Sequence, residues 1–175
     1  MLRGPARPCV AILREALAAF ALLAVLAATP PKAAKFDPVA FFTGKTRGSG
    51  MLTKFLSGTR RVSDSNVGTV REDGMLVLDQ TVDVVGEKVR IRKWQLRETA
   101  PGQFTGTLSD ANGPVTAKLT DTVLRITYTL TEGNMAVEQV ITLLPDGQSA
   151  HNVMKVRRLG ITFATLEGTI RKETP

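Results

Sequence analysis

Cysteine, histidine, tryptophan and tyrosine each occur once in this 175-residue chain, and only 5% of its residues are aromatic. The single cysteine, Cys9, comes before the apolar run Ala16–Ala28. A bacterial lipid-attachment box needs its cysteine directly after such a run, so this placement argues against a lipid anchor. Once the leading segment is removed no thiol remains, which excludes disulfides and a cysteine nucleophile. A lone His151 supplies too few ligands for a tetrahedral metal site. As a general base it lacks partners: Ser149 merely shares its strand face, and no serine sits in a nucleophile elbow. One Trp and one Tyr are few stacking platforms, and no recognised binding motif occurs, so we expect no nucleic-acid partner. From these absences we expect no catalytic residue, no metal, no cofactor and no enzyme activity.

Long hydrophobic runs are also scarce. Ala16–Ala28 is shorter than the roughly 20 residues of a membrane-spanning helix. It follows Arg3, Arg7 and Arg14 and ends at Thr29-Pro30-Pro31, the plan of a secretory signal. Cleavage behind Ala27 fits best, with Val25 and Ala27 at the two small-residue positions. We therefore expect a signal peptide over 1–27, a Pro/Ala/Lys tether over 28–35 and one domain over 36–175. The expected location is the periplasm; the alternative is an uncleaved helix holding the domain at the inner membrane.

The formal net charge is +7, and residues 1–27 carry three Arg and one Glu, which leaves +5 for the remainder. A basic surface keeps a protein soluble and also suits an anionic lipid surface or an anionic small molecule. Lys155, Arg157 and Arg158, with Arg60 and Arg61, would form a patch facing anionic head groups. Exposed Lys and Arg on strands serve equally to protect sheet edges. We expect a monomer.

Phe36-Asp37-Pro38-Val39-Ala40-Phe41-Phe42 reads as a short helical turn, capped by Asp37, with Pro38 at its first position and Gly44 ending it. Its three Phe predict packing against one end of the domain. From Lys45 onward the period is two. Leu76, Leu78, Gln80, Val82 and Val84 alternate with Val77, Asp79, Thr81 and Asp83. Leu124, Ile126, Tyr128 and Leu130 form a second such row, and Met135, Val137, Gln139, Ile141 and Leu143 a third. Such rows mark half-buried strands. Turn signals, among them Asp73-Gly74, Asn112-Gly113 and Asp146-Gly147, separate them.

Strands are predicted at 47–56, 59–66, 75–84, 88–98, 103–109, 114–119, 123–131, 135–144, 149–157 and 161–172. Met75, Met135 and Met154 read as core filler. An all-β antiparallel up-and-down meander of about ten strands, closing into a lipocalin-like (calycin) barrel, is the first choice because closure removes edges. A two-sheet sandwich is the second.

Scattered pieces of the chain resemble a proteobacterial family of small envelope proteins of unknown function, often lipoproteins. They are Phe36-Asp37-Pro38 followed by Phe41-Phe42 and Gly44; Leu78-Asp79-Gln80, Gly86 and Arg92-Lys93-Trp94; and Asn152, Leu159-Gly160-Ile161 and Arg171-Lys172. The resemblance implies a lipocalin-like fold and no particular activity. The chain departs from that pattern at Asp79, where Glu is usual, at Val85, where Asp is usual, and in lacking the lipobox.

The segment Lys88 to Leu96 breaks simple patterning, because Lys88, Arg90 and Arg92 share a face with Trp94 and Leu96. Either a β-bulge near Arg92–Lys93 re-aims the later side chains, or Arg92 points into the barrel beside Trp94. An inward Arg needs a carboxylate partner, and Asp79 or Asp83 on the preceding strand is the expected one. One reading makes Arg92 the holder of an anionic head group, whose tail lies among Trp94, Tyr128, Leu124 and Ile126. The other makes it half of a structural Arg–Asp pair under a core Trp. Two functions follow: an exported barrel without catalysis that binds a lipid or other amphipathic small molecule, or a structural or interaction protein whose barrel is filled by its own side chains.

Overall fold

The period-two pattern becomes ten antiparallel strands in the computed structural model, which describes residues 35–173. The expected signal over 1–27, with Cys9, and the tether as far as residue 34 lie outside the described residues. The strands are β1 Gly44–Lys54, β2 Gly58–Val70, β3 Leu76–Val84, β4 Arg90–Ala100 and β5 Gln103–Leu108, then β6 Val115–Thr120, β7 Val123–Leu130, β8 Met135–Leu143, β9 Ser149–Arg158 and β10 Ile161–Lys172. Each pairs with the next, and β1 also pairs with β10 from Thr46↔Lys172 to Lys54↔Ala164. The sheet thus closes on itself as an up-and-down, lipocalin-like barrel, and the sandwich alternative is not formed.

The second strand is expected over 59–66. The strand instead runs to Val70, because Asp64 and Asn66 continue the inward row as polar side chains. No bulge occurs at Arg92–Lys93: the β3–β4 register is continuous from Leu76↔Leu96 to Val82↔Arg90. Register shifts fall instead at Glu98/Ala100 and Thr162/Ala164.

A single helical turn, α1 Pro38–Phe42, plugs one end of the barrel. Asp37 Oδ1 accepts from the Ala40 amide at 3.0 Å, and Pro38 occupies a position whose amide would be unpaired anyway. Phe36, Phe41 and Phe42 are buried and meet edge to face, with centroids 5.6 and 5.0 Å apart. Burying each contributes about 1.5–3 kcal/mol. The free carbonyls at the end of the turn are collected by Lys172 of β10, whose Nζ donates to Ala40, Phe41 and Thr43 at 2.9, 3.1 and 2.5 Å. Gly68 of β2 lets the turn seat, since a Cβ there would collide with the Phe42 carbonyl. The large hydrophobic cluster takes in this plug and extends along the barrel as far as Val156, while Leu52, Val62 and Val84 form a small separate buried cluster toward the other end.

Candidate functional site

The unbroken β3–β4 register settles where the charged strand points. Arg90, Arg92, Trp94 and Leu96 face the interior, while Ile91 and Lys93 face outward. Arg92 Nε donates to Asp110 Oδ1 at 2.9 Å. Its guanidinium carbon lies 5.5 Å from the Trp94 ring centroid and 5.8 Å from that of Tyr128, and the two rings meet edge to face at 5.4 Å. Trp94 is fixed in turn by its indole N–H, which donates to Gln80 Oε1 at 3.0 Å. Burial acts to lower the Arg92 pKa, but Tyr128 and Asp110 outweigh it and hold the guanidinium above its ordinary value. Burial raises the Tyr128 hydroxyl, against the opposing pull of Arg92. Arg92 is therefore a permanent cation and Tyr128 a neutral phenol.

The expected carboxylate partners of Arg92 need correction. Asp79 and Asp83 sit on the outer row of β3, because strand alternation sends them away from Leu78, Gln80, Val82 and Val84. Asp79 pairs there with Lys93 at 2.9 Å. Gln80 is the inward residue registered opposite Arg92. The carboxylate comes from Asp110, in the β5–β6 connection. No sequence pattern links it to Arg92.

Arg92, Trp94 and Tyr128 form a layer across the barrel and divide the interior in two. On the side of α1 lies a chamber of about 70 Å³, lined by Trp94, Leu124, Ile126 and a set of polar side chains. Asn66 Nδ2 donates to Asp64 Oδ1 at 2.6 Å, and Gln139 Nε2 to Asn152 Oδ1 at 2.9 Å. The Asp64 carboxyl occupies the space a side chain at Gly48 would need. Burial raises its pKa, and hydrogen bonds from Asn66 and Gln80 offset part of the rise. On the far side is a mouth chamber of about 280 Å³, with Arg92 and Tyr128 at its floor and Leu52, Val62, Val84, Met154 and Leu166 among its walls. The expected site residues thus fall on both sides of the layer: Arg92 and Tyr128 face the mouth chamber, whereas Trp94, Leu124 and Ile126 face the inner one. The interior is not solidly filled.

The mouth is charged at its rim. Glu87 carries three cations, with Lys54 at 2.5 Å, Arg60 at 3.9 Å and Arg90 at 4.0 Å. The Lys54 hydrogen bond is the main cause holding its carboxyl below the ordinary range. The β5–β6 hairpin is short, and β4 pairs with β5 only from Trp94 onward. This leaves a notch in the wall between β4 and β7, lined by Arg90, Arg92, Asp110 and Glu132. Arg90 faces Glu132 across it at 3.8 Å. Lys54, Arg60, Arg90 and Arg92 together outnumber Glu87, Glu132 and Asp110, so the chamber has a cationic surplus. His151 is remote from all this, on the outer face beside Glu167 at 3.1 Å. Of the expected basic patch, Arg157 is bound to Glu138 at 3.1 Å, and that carboxylate also pairs with Arg125.

The chain matches the family DUF3833, a protein of unknown function, over residues 18–172. No curated protein matches it. Among solved structures, an S-type phycobiliprotein lyase from Guillardia theta is similar, with a TM-score of 0.60, 8% identity, and coverage of 78% of this chain and 91% of that one. A protein from M. tuberculosis follows at TM-score 0.57 and 14% identity, covering 79% and 99%. A protein of unknown function from the DUF3598 family of Nostoc punctiforme gives 0.56 and 13%, covering 84% and 53%. At such identities the likeness is one of fold. It corrects one expectation, that a chain without a recognised catalytic motif is not an enzyme. A barrel of this kind is a lyase in Guillardia theta, so a missing motif on this fold does not exclude catalysis.

Proposed function

This chain belongs to DUF3833, a family of unknown function, and we propose that it binds a small anionic amphiphile, lipid-derived or otherwise, in the mouth chamber. The carrying observation is Arg92: a guanidinium on two ring faces, at the floor of an apolar chamber and open to the notch. A carboxylate or phosphate is the natural partner of such a fork. In this reading the head group lies in the notch, where Asp110 competes for Arg92, and the tail lies along Val62, Val84 and Met154. The chamber is near the lower end of small-molecule pockets, roughly 300–1,000 Å³, which favours a short tail. We place the protein in the periplasm, freed by cleavage behind Ala27, or held at the inner membrane if the run Ala16–Ala28 is kept; N-terminal sequencing separates the two.

The Arg92–Asp110 bond at 2.9 Å supports the second reading, a structural pair closing the layer. Native mass spectrometry of the full chain purified from an envelope extract, with a titration of dodecanoate, tests the first. Saturable one-to-one binding that Arg92→Gln weakens about tenfold, the loss of one charged contact, is expected. No retained amphiphile and no saturable dodecanoate binding would sink the proposal.

A further inference from the structure

The two ends of the barrel differ in kind. In an up-and-down meander alternate turns share an end, so the β1–β2, β3–β4 and β9–β10 turns surround the mouth. The first presents Phe55 and Leu56 to solvent and the second Val85 and Val89, with Ile91 just beyond it. The third presents Leu159 and Ile161, and Phe163 leans on Phe55 with ring centroids 6.2 Å apart. Most of the large exposed apolar side chains among the described residues stand on this one rim. Leu56 is 90% exposed at φ +71° and Leu159 is 94% exposed at φ +49°. Both leucines occupy left-handed backbone, where glycine or asparagine is less strained. Neither solubility nor turn geometry accounts for leucine there.

Charge follows the same division. At the mouth Lys54, Arg60, Arg61, Lys88, Arg90 and Arg158 outnumber Glu87, Asp110 and Glu132, whereas the turns at the plugged end carry Glu72, Asp73, Asp121 and Asp146 against Arg71. An apolar rim with a cationic surplus around it, and an acidic excess in the turns of the opposite pole, matches an anionic bilayer approached mouth first. We propose that the mouth rim docks on an anionic lipid surface, with Leu56, Leu159 and the Phe55–Phe163 pair entering the acyl boundary. The chamber then opens toward the membrane. This surface stands apart from the ligand reading, since a rim can dock whether or not the chamber is filled.

The test places a tryptophan reporter at Leu56→Trp, at Leu159→Trp and, as the opposite pole, at Glu72→Trp in the full chain. Each is mixed with phosphatidylcholine vesicles carrying brominated acyl chains, with or without phosphatidylglycerol. Because Trp94 is common to all, differences report position, and the apolar N-terminal run is the same in each. The expected result is a blue shift and strong quenching at 56 and 159, dependent on phosphatidylglycerol and weakened by salt, with little change at 72. A Leu56→Asp/Leu159→Asp variant should lose about tenfold or more of the phosphatidylglycerol-dependent binding. Equal quenching at both poles, or none at 56 and 159, overturns the proposal. So does a blue shift at 56 that grows with protein concentration without vesicles, which would mark a second copy as the occupant. Dodecanoate binding is read separately, so failure of the rim and failure of the chamber are distinguishable.

Discussion

Substituting Asp110 separates a structural ion pair from a ligand anchor, because the two roles predict opposite changes in binding. Arg92, its side chain only 13% exposed, donates one direct hydrogen bond to Asp110, itself 36% exposed. Removing one partner of a fully buried pair costs about 3–5 kcal/mol, but a pair this open to water is screened toward the surface figure of about 0–1 kcal/mol. Asp110→Asn should fall between, at about 1–2 kcal/mol, because Arg92 keeps its two ring faces, each worth about 0.5–2 kcal/mol. In a domain this size that lowers Tm by roughly 3–8 °C. Dodecanoate affinity should nevertheless rise several-fold, since the competing carboxylate has gone. Arg92→Gln should lower both stability and affinity. Thermal denaturation and isothermal titration on the same preparations check this. If Asp110→Asn weakens dodecanoate binding in parallel with stability, the pair is structural and the head-group role of Arg92 is refuted.

Asp64 gives a pH prediction. Burial holds its folded pKa above that of the unfolded chain, so the unfolded state loses its proton first as pH rises. Stability should therefore fall between the ordinary carboxylate range and the raised folded value and then level off; Asp64→Asn should remove that fall, matching wild type in acid and exceeding it at neutral pH in urea midpoints. Gly68→Ala should lower Tm sharply, by a destabilisation of about 1–3 kcal/mol, because the new methyl meets the Phe42 carbonyl. Lys172→Met keeps the stem but releases three carbonyls, and should cost about 1–2 kcal/mol, with amide exchange at Phe41 and Thr43 rising ahead of the barrel strands.

The fold was legible because its signal is local. Rows such as Leu124-Ile126-Tyr128-Leu130 declare their own inner face, and Asp37-Pro38 declares its own cap. The same logic placed Gln80 and Gln139 in apolar rows, and both do face inward. What that pattern could not give was their meaning, since an inward amide needs a partner and partners are chosen across the barrel. Asp64 and Asn66 were hidden for a related reason: with serines on both sides, the inner row carried no hydrophobic contrast. Asp110 was out of reach altogether, since the Arg92–Asp110 bond depends on how short the β5–β6 hairpin is. Sign of charge points to Asp79 and Asp83, but the alternation that makes β3 a strand sends both outward.

The uneven packing lets one half of the barrel carry its stability while the other stays open. Phe36, Phe41 and Phe42 sit at the plugged end, continuous with the large cluster that runs through Leu76, Phe104, Leu124 and Ile141. That half holds most of the buried apolar residues. At the mouth Leu52, Val62 and Val84 form a small separate cluster and Val156 carries the large one into the wall, yet the walls leave about 280 Å³ and ion pairs span the gaps. Close packing stabilises a core but leaves no room for a guest. Confining it to one half lets the other stay open, and the Arg92–Trp94–Tyr128 layer is the boundary between the two. Substitutions above that layer should therefore alter binding with little effect on folding, and those below it the reverse. Arg92, at the boundary, is the residue expected to move both.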